Sequence, residues 1–225
     1  MGLTHNSRTF RCKTVFKAPR LTGARQGESD VADSDELASF LTARRAPDAD
    51  RDAVDAAIWA RFGRTQAIMF TDLVGFSRTV EAFGILHFLQ LIQESEALFM
   101  PLIQQHAGQC LKREGDSLLA VFDFPSEALA AARAMVAATE ALNPQRSPEE
   151  TIEVCIGLGY GQVLRVDDDE VWGAEVNAAS KLGEEMARGG EVLVTENFRL
   201  AVPDQPFMEH GVLFGTRPAF RLVAE

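Results

Sequence analysis

Apolar side chains run almost without a break from residue 67 into Thr71-Asp72, and apolar residues resume around Gly75. Such a run reads as a buried strand over 65–71, which sets a carboxylate at the strand's end. From Ser77 to about His106 the apolar positions recur at helical spacing, with a kink predicted near Pro101. Strands are predicted over 109–114 and 117–123, an Ala-rich helix over 126–142, and strands over 151–159 and 162–166. A helix over 173–187, a strand over 191–195, a helical turn and a C-terminal hairpin complete the pattern. The core order β-α-β-β-α-β predicts an α+β fold, a ferredoxin-like sandwich with helices over one face of a mostly antiparallel sheet. The last strands extend that sheet.

The pattern before residue 65 is different. Residues 1–27 carry Arg8, Arg11, Lys13, Lys17, Arg20 and Arg25 and no acid, and they lack the apolar core of a secretory signal. An organelle transit peptide has this composition, but a disordered basic tail is the simpler expectation. Residues 28–64 reverse the sign and read as an acidic helical extension, with Ser34 capping one helix and Pro47-Asp48 opening another that ends near Phe62. Asp48, Asp50 and Asp52 alternate as in a calcium loop, but Ala53 and Trp59 stand where an EF-hand needs Gly and Glu. These acids therefore read as helix N-terminal charges. Residues 65–225 form the expected globular unit.

Composition narrows the chemistry. A net charge of −11 and a pI near 4.9 leave no cationic excess for a nucleic-acid surface. Cys12, Cys110 and Cys155 have no metal-ligand spacing and read as reduced thiols of a cytoplasmic protein. No run approaches the ~18 apolar residues of a membrane span.

A carboxylate at a buried strand end needs a partner. In the predicted topology the first strand lies beside the hairpin of the second and third, whose turn is Glu114-Gly115-Asp116. Asp72 and Asp116 then face each other across the sheet edge. Their mutual repulsion is relieved by a cation, and hard oxygen donors favour Mg²⁺ or Mn²⁺. Carboxylate pairs that hold two metal ions recur in phosphoryl-transfer sites.

These residues resemble the class III nucleotidyl cyclases. Phe70-Thr-Asp72-Leu-Val-Gly75-Phe76 matches that family's "FxDxxGF" element, and Lys112-Arg-Glu-Gly115-Asp116 matches its "KxxGD" hairpin. Glu170-Val-Trp172-Gly173 followed by Val176-Asn177-Ala-Ala-Ser180 matches an acid, an aromatic-Gly pair and "VNxAS". "IGLGYG" at 156–161 and "EVLVTE" at 191–196 are similar to family strands. The resemblance implies two Mg²⁺ or Mn²⁺ ions per site on Asp72, Asp116 and the Leu73 carbonyl. The turn at Gly75-Phe76 would offer backbone N–H groups to a nucleoside triphosphate.

Lys112 and Glu170 take the purine-reading positions. Adenine asks for one cation and one acceptor, so the pair favours ATP, with GTP or a pyrimidine nucleotide as the other possible substrates. Asn177 and Lys181 lie four residues apart on one helix face, where the family places Asn and Arg beside the ribose and α-phosphate. Lys181 lacks the guanidinium fork, a change that slows turnover ~10-fold or more. Phe214 falls near the family's terminal-phosphate cation, leaving Arg217 or Arg221 to substitute.

The implied reaction is attack of the ribose 3′-hydroxyl on the α-phosphorus, with pyrophosphate leaving, at a site completed across a homodimer. A cyclase-like domain that binds nucleotide or dimerises without turnover is the other reading. "LGEEM" at 182–186 has a superficial likeness to the Gly-Gly-Glu-Glu-Phe hairpin of diguanylate cyclases. It is expected to continue the Asn177 helix, far from the hairpin that carries Asp116.

Overall fold

The computed structural model of the chain describes residues 29–223. The expected basic tail over 1–27 lies outside the described residues.

Two N-terminal helices, α1 (Ser29–Arg44) and α2 (Arg51–Phe62), lead into β1 (Gly63–Leu73). Ser34 lies within α1 rather than capping it, and its hydroxyl bonds the Asp167 carboxylate. Asp50 is the N-cap of α2, accepting from the Ala53 N–H at 3.1 Å. That satisfies a helix-terminal donor and gives one of the three alternating acids a structural role.

After β1 the chain forms α3 (Phe76–Phe83) and α4 (Ile85–Gln105). The helical stretch breaks at Gly84, where φ is +88°, while α4 continues through Pro101. A positive φ is easy for glycine and strained elsewhere, so the helical stretch divides at Gly84, and Pro101 lies inside the continuous α4. Then come β2 (Gln109–Glu114), β3 (Ser117–Phe122), α5 (Pro125–Leu142) and β4 (Val154–Arg165). β4 is one long strand where two were expected. β5 (Val171–Trp172), α6 (Ala174–Lys181) with a π-helical turn at Leu182–Met186, β6 (Val192–Thr195), α7 (Glu196–Ala201), β7 (Phe207–Leu213) and β8 (Arg217–Leu222) follow.

The strands form one sheet in the order β2-β3-β1-β4-β6-β8-β7, with β5 paired to β4. β1 runs antiparallel to both β3 and β4, as the ferredoxin-like core requires. On one face, α4 and α5 bury Phe88, Phe99, Ile103 and Met135 against Met69 and Ile156, each side chain contributing about 2–3 kcal/mol of burial.

α6 does not join them. It packs on the opposite face, where Ala179 shares a cluster with Ile68, Leu119 and Val163. Helices therefore cover both faces rather than one. The alternating glycines of β4 make this possible. A Cβ at Gly157 would lie 2.0 Å from the Ala179 carbonyl oxygen, and one at Gly159 would lie 2.6 Å from that of Glu175.

Candidate active site

The register of β1 on β3 pairs Thr71 with Leu118, which sets Asp72 beside Ser117. The Ser117 hydroxyl donates to Asp72 Oδ1 at 3.0 Å, and the Leu118 N–H donates to the Thr71 hydroxyl at 3.2 Å. Gly115, at φ +61°, turns the β2–β3 hairpin so that Asp116 reaches the same corner. The Asp72 carboxyl is pushed up to about 6, first by burial and then by the charge of Asp116. The structure thus brings together the two carboxylates that the sequence singled out. Crowded oxygen donors with a raised proton affinity suit a hard divalent cation.

Leu73 ends β1, and the Val74 N–H donates to the Glu153 carbonyl at 3.0 Å. Gly75, at φ +93°, precedes α3 and brings it no side-chain cap.

A third carboxylate stands near this corner. Glu184, in the π-helical turn, has a raised pKa, first from burial and further from Glu185, Asp116 and Glu114. Asp72 also feels its charge. The expectation that "LGEEM" lies far from the hairpin is therefore corrected. Gly183 packs so closely on β1 that a Cβ there would meet the Phe70 carbonyl oxygen at 2.9 Å. That contact carries the turn over the sheet toward Asp116.

Lys112 lies opposite Leu119 just after a register shift in β2. Its neighbour Leu111 shares an apolar cluster with Val171, the neighbour of Glu170. The 166–170 turn is tied down: the Val166 N–H donates to the Glu170 carbonyl at 3.3 Å, and the Gln109 amide donates to the Asp168 carbonyl at 3.2 Å. Glu170 also lines a cavity of about 600 Å³ with Trp59, Trp172 and Leu41, between the α1–α2 hairpin and β4–β5.

Asn177, Lys181 and Ser180 line a separate cavity of about 400 Å³ together with Phe214 and Arg217. The shared helix face expected for Asn177 and Lys181 is present. Lys181 Nζ is paired with Glu185 and stands 5.7 Å from the centre of the Phe214 ring. Of the two candidate substitute cations, Arg217 lines this cavity. Arg221 instead reaches Glu191 at 3.4 Å.

Sequence reasoning missed Glu175, a carboxylate only 4% exposed in the first turn of α6. A signal was available. Glu175, Ala178, Ala179 and Leu182 fall at i, i+3, i+4 and i+7, so this acid occupies a position of the apolar stripe.

A family profile described as the adenylate and guanylate cyclase catalytic domain matches residues 63–209. The chain belongs to this family. An adenylate/guanylate cyclase/hydrolase structure from Silicibacter pomeroyi superposes with a TM-score of 0.64 at 27% identity, over 72% of this chain and 98% of that one. The adenylyl cyclase CyaB from P. aeruginosa shares the fold, with a TM-score of 0.61 at 19% identity over 72% of this chain and 95% of its own. The protein Rv2212 of Mycobacterium tuberculosis is 30% identical over 149 residues, 66% of this chain and 37% of its own length. The chain spans well under half the length of these curated relatives. The α1–α2 hairpin precedes the matched residues. No helix among the described residues is long and apolar enough to cross a membrane.

Proposed function

We propose that the chain converts ATP to 3′,5′-cyclic AMP and pyrophosphate, at sites shared between the two subunits of a homodimer. The observation that carries this reading is the corner formed by Asp72 and Asp116, where burial and then the charge of Asp116 raise the Asp72 carboxyl to about 6. When bound there by Asp72, Asp116 and the Leu73 carbonyl, two Mg²⁺ or Mn²⁺ ions supply activation of the 3′-hydroxyl and neutralisation of the triphosphate.

The chain's own groups do the rest. The N–H groups at Gly75 and Phe76 receive phosphate oxygens. Lys112 donates to adenine N1 and Glu170 accepts from its N6 amine. Asn177 orients the ribose, and Lys181 faces the charge that grows on the α-phosphate. Lys181 leaves Glu185 at little cost, since such an i,i+4 surface pair is worth no more than ~0.5 kcal/mol.

One observation favours a second reading. With Phe214 at the terminal-phosphate position and Lys181 already paired, the domain holds nucleotide and dimerises while turning over slowly. A product assay across the four nucleoside triphosphates, with Mg²⁺ or Mn²⁺, tests both. Cyclic AMP as the main product, lost in Asp72→Ala and Asp116→Ala, is the expected result. Nucleotide binding with no cyclic product from any of the four selects the binding module.

A further inference from the structure

We propose that Glu175 is a positioning residue for the phosphate cavity, holding the Arg217 guanidinium so that its remaining N–H edge faces the substrate's phosphate chain. The proposal rests on the nucleotide reading of that cavity and extends it to a residue that no motif marks.

Glu175 is buried, yet both of its oxygens are satisfied. Oε2 accepts from the Tyr160 N–H at 3.2 Å and from the Thr195 hydroxyl at 2.7 Å. Oε1 accepts from the Asn197 amide at 3.0 Å and from Arg217 Nη2. Four donors fill the lone-pair capacity of a carboxylate. They come from β4, β6, α7 and β8, so four elements fix this one group. Gly161 helps to make the room, since a Cβ there would stand 3.1 Å from Glu175 Cγ.

Arg217 is the one cation among these donors. Among the described residues its guanidinium bonds Glu175 through Nη2, and Arg217 also lines the cavity that holds Asn177 and Lys181. A planar guanidinium anchored on one edge presents its other donors in a fixed direction. An unanchored arginine would have to be ordered each time phosphate binds. Glu175 lies two residues before Asn177 on α6, so the anchor for Arg217 and the ribose-facing side chain ride on one element.

Replacing Glu175 by Gln removes the charge and one acceptor and turns an amide N–H₂ toward donors that need an oxygen. With the N–H₂ in place of Oε1, Arg217 and Asn197 both lose their acceptor; with it in place of Oε2, the Tyr160 N–H loses its own and Arg217 keeps only a neutral amide oxygen.

The test is calorimetric binding of inorganic triphosphate to the full chain, alongside steady-state kinetics with ATP. Arg217→Gln and Glu175→Gln are each expected to weaken triphosphate binding about tenfold. Their double variant should be no weaker than Arg217→Gln alone, because both remove the same interaction. KM for ATP should rise while kcat changes little. Glu175→Asp keeps the charge and should recover most of the binding, and it carries the test if Glu175→Gln does not fold.

Multiplying losses in the double variant, or a lower melting temperature with unchanged triphosphate binding, would overturn the proposal. So would a wild-type chain that does not bind triphosphate. Triphosphate binding with this dependence but no cyclic product from any nucleotide keeps the proposal and removes only the cyclase reading.

Discussion

Asp72 carries most of the inference at the scale of single residues, and its protonation makes that inference measurable. Its carboxyl titrates near pH 6 in the folded chain, against an ordinary value of 3.8, because burial and Asp116 disfavour the charge. Below pH ~4 the group is neutral in both folded and unfolded chains, and its contribution to stability is fully present. As pH rises through about 6 that contribution is lost, since the folded chain must then hold a crowded anion. Without added metal, Asp72→Asn should therefore melt above wild type at pH 8 and close to it near pH 4. After screening by solvent the gain is about 1 kcal/mol, or a few degrees. Mn²⁺ should raise the wild-type melting temperature at pH 8 and leave Asp72→Asn almost unmoved. A variant that melts below metal-free wild type at pH 8 would show that Asp72 holds the fold together and does not await a cation. Asp72 and Asp116 could be read from the sequence because each follows a local pattern and topology supplies their meeting. Glu175 and Glu184 could not be read in that way. The apolar stripe of α6 marks Glu175 as buried, but what each acid does depends on donors and charges that three strands, a helix and a π-helical turn bring from far along the chain.

At the scale of elements, the close approach of α6 to β4 joins fold and site. Asn177, Lys181 and Glu175 all lie on α6, and its height above the sheet is set by Gly157, Gly159 and Gly183. The motif "IGLGYG", similar to a family strand, lies within β4, and its glycines leave space for a helix. Gly157→Ala tests this. Its Cβ would meet the Ala179 carbonyl at 2.0 Å and the Gly183 N–H at 2.6 Å, both backbone groups that cannot swing away. We expect a loss of ~2–3 kcal/mol by denaturant unfolding. The surviving folded protein should also lose nucleotide affinity, because α6 is lifted. Unchanged stability would mean that α6 does not rest on the glycines of β4. Strands and helices were largely legible because their periodicities are local. The face that α6 covers was not, since that depends on a space that no side chain fills, and the division of the helical stretch at Gly84 was missed because apolar spacing does not report a positive φ.

At the scale of the molecule, the residues of the proposed site fall into two groups within one chain. Asp72 and Asp116 lie at the end of β1 and the β2–β3 turn, whereas Asn177, Lys181 and Arg217 gather around a separate cavity. Phe214 is 54% exposed at that cavity. If each complete site takes its carboxylates from one subunit and Lys181 from its mate, two different inactive variants should repair each other. Asp72→Ala and Lys181→Ala, each inactive alone, are mixed after co-expression or denaturation and refolding. Random pairing makes half of the dimers mixed, and each mixed dimer has one intact site of two. About a quarter of wild-type activity should return, as two-fold symmetry requires. A site built within one chain would give no recovery at any mixing ratio, because every chain in the mixture lacks one essential group. Specific activity should also fall on dilution as the dimer dissociates, with the fold of each subunit retained. Recovery without that concentration dependence would point to a dimer too tight to dissociate over the range assayed, and the return of a quarter of the activity would still fix the shared site.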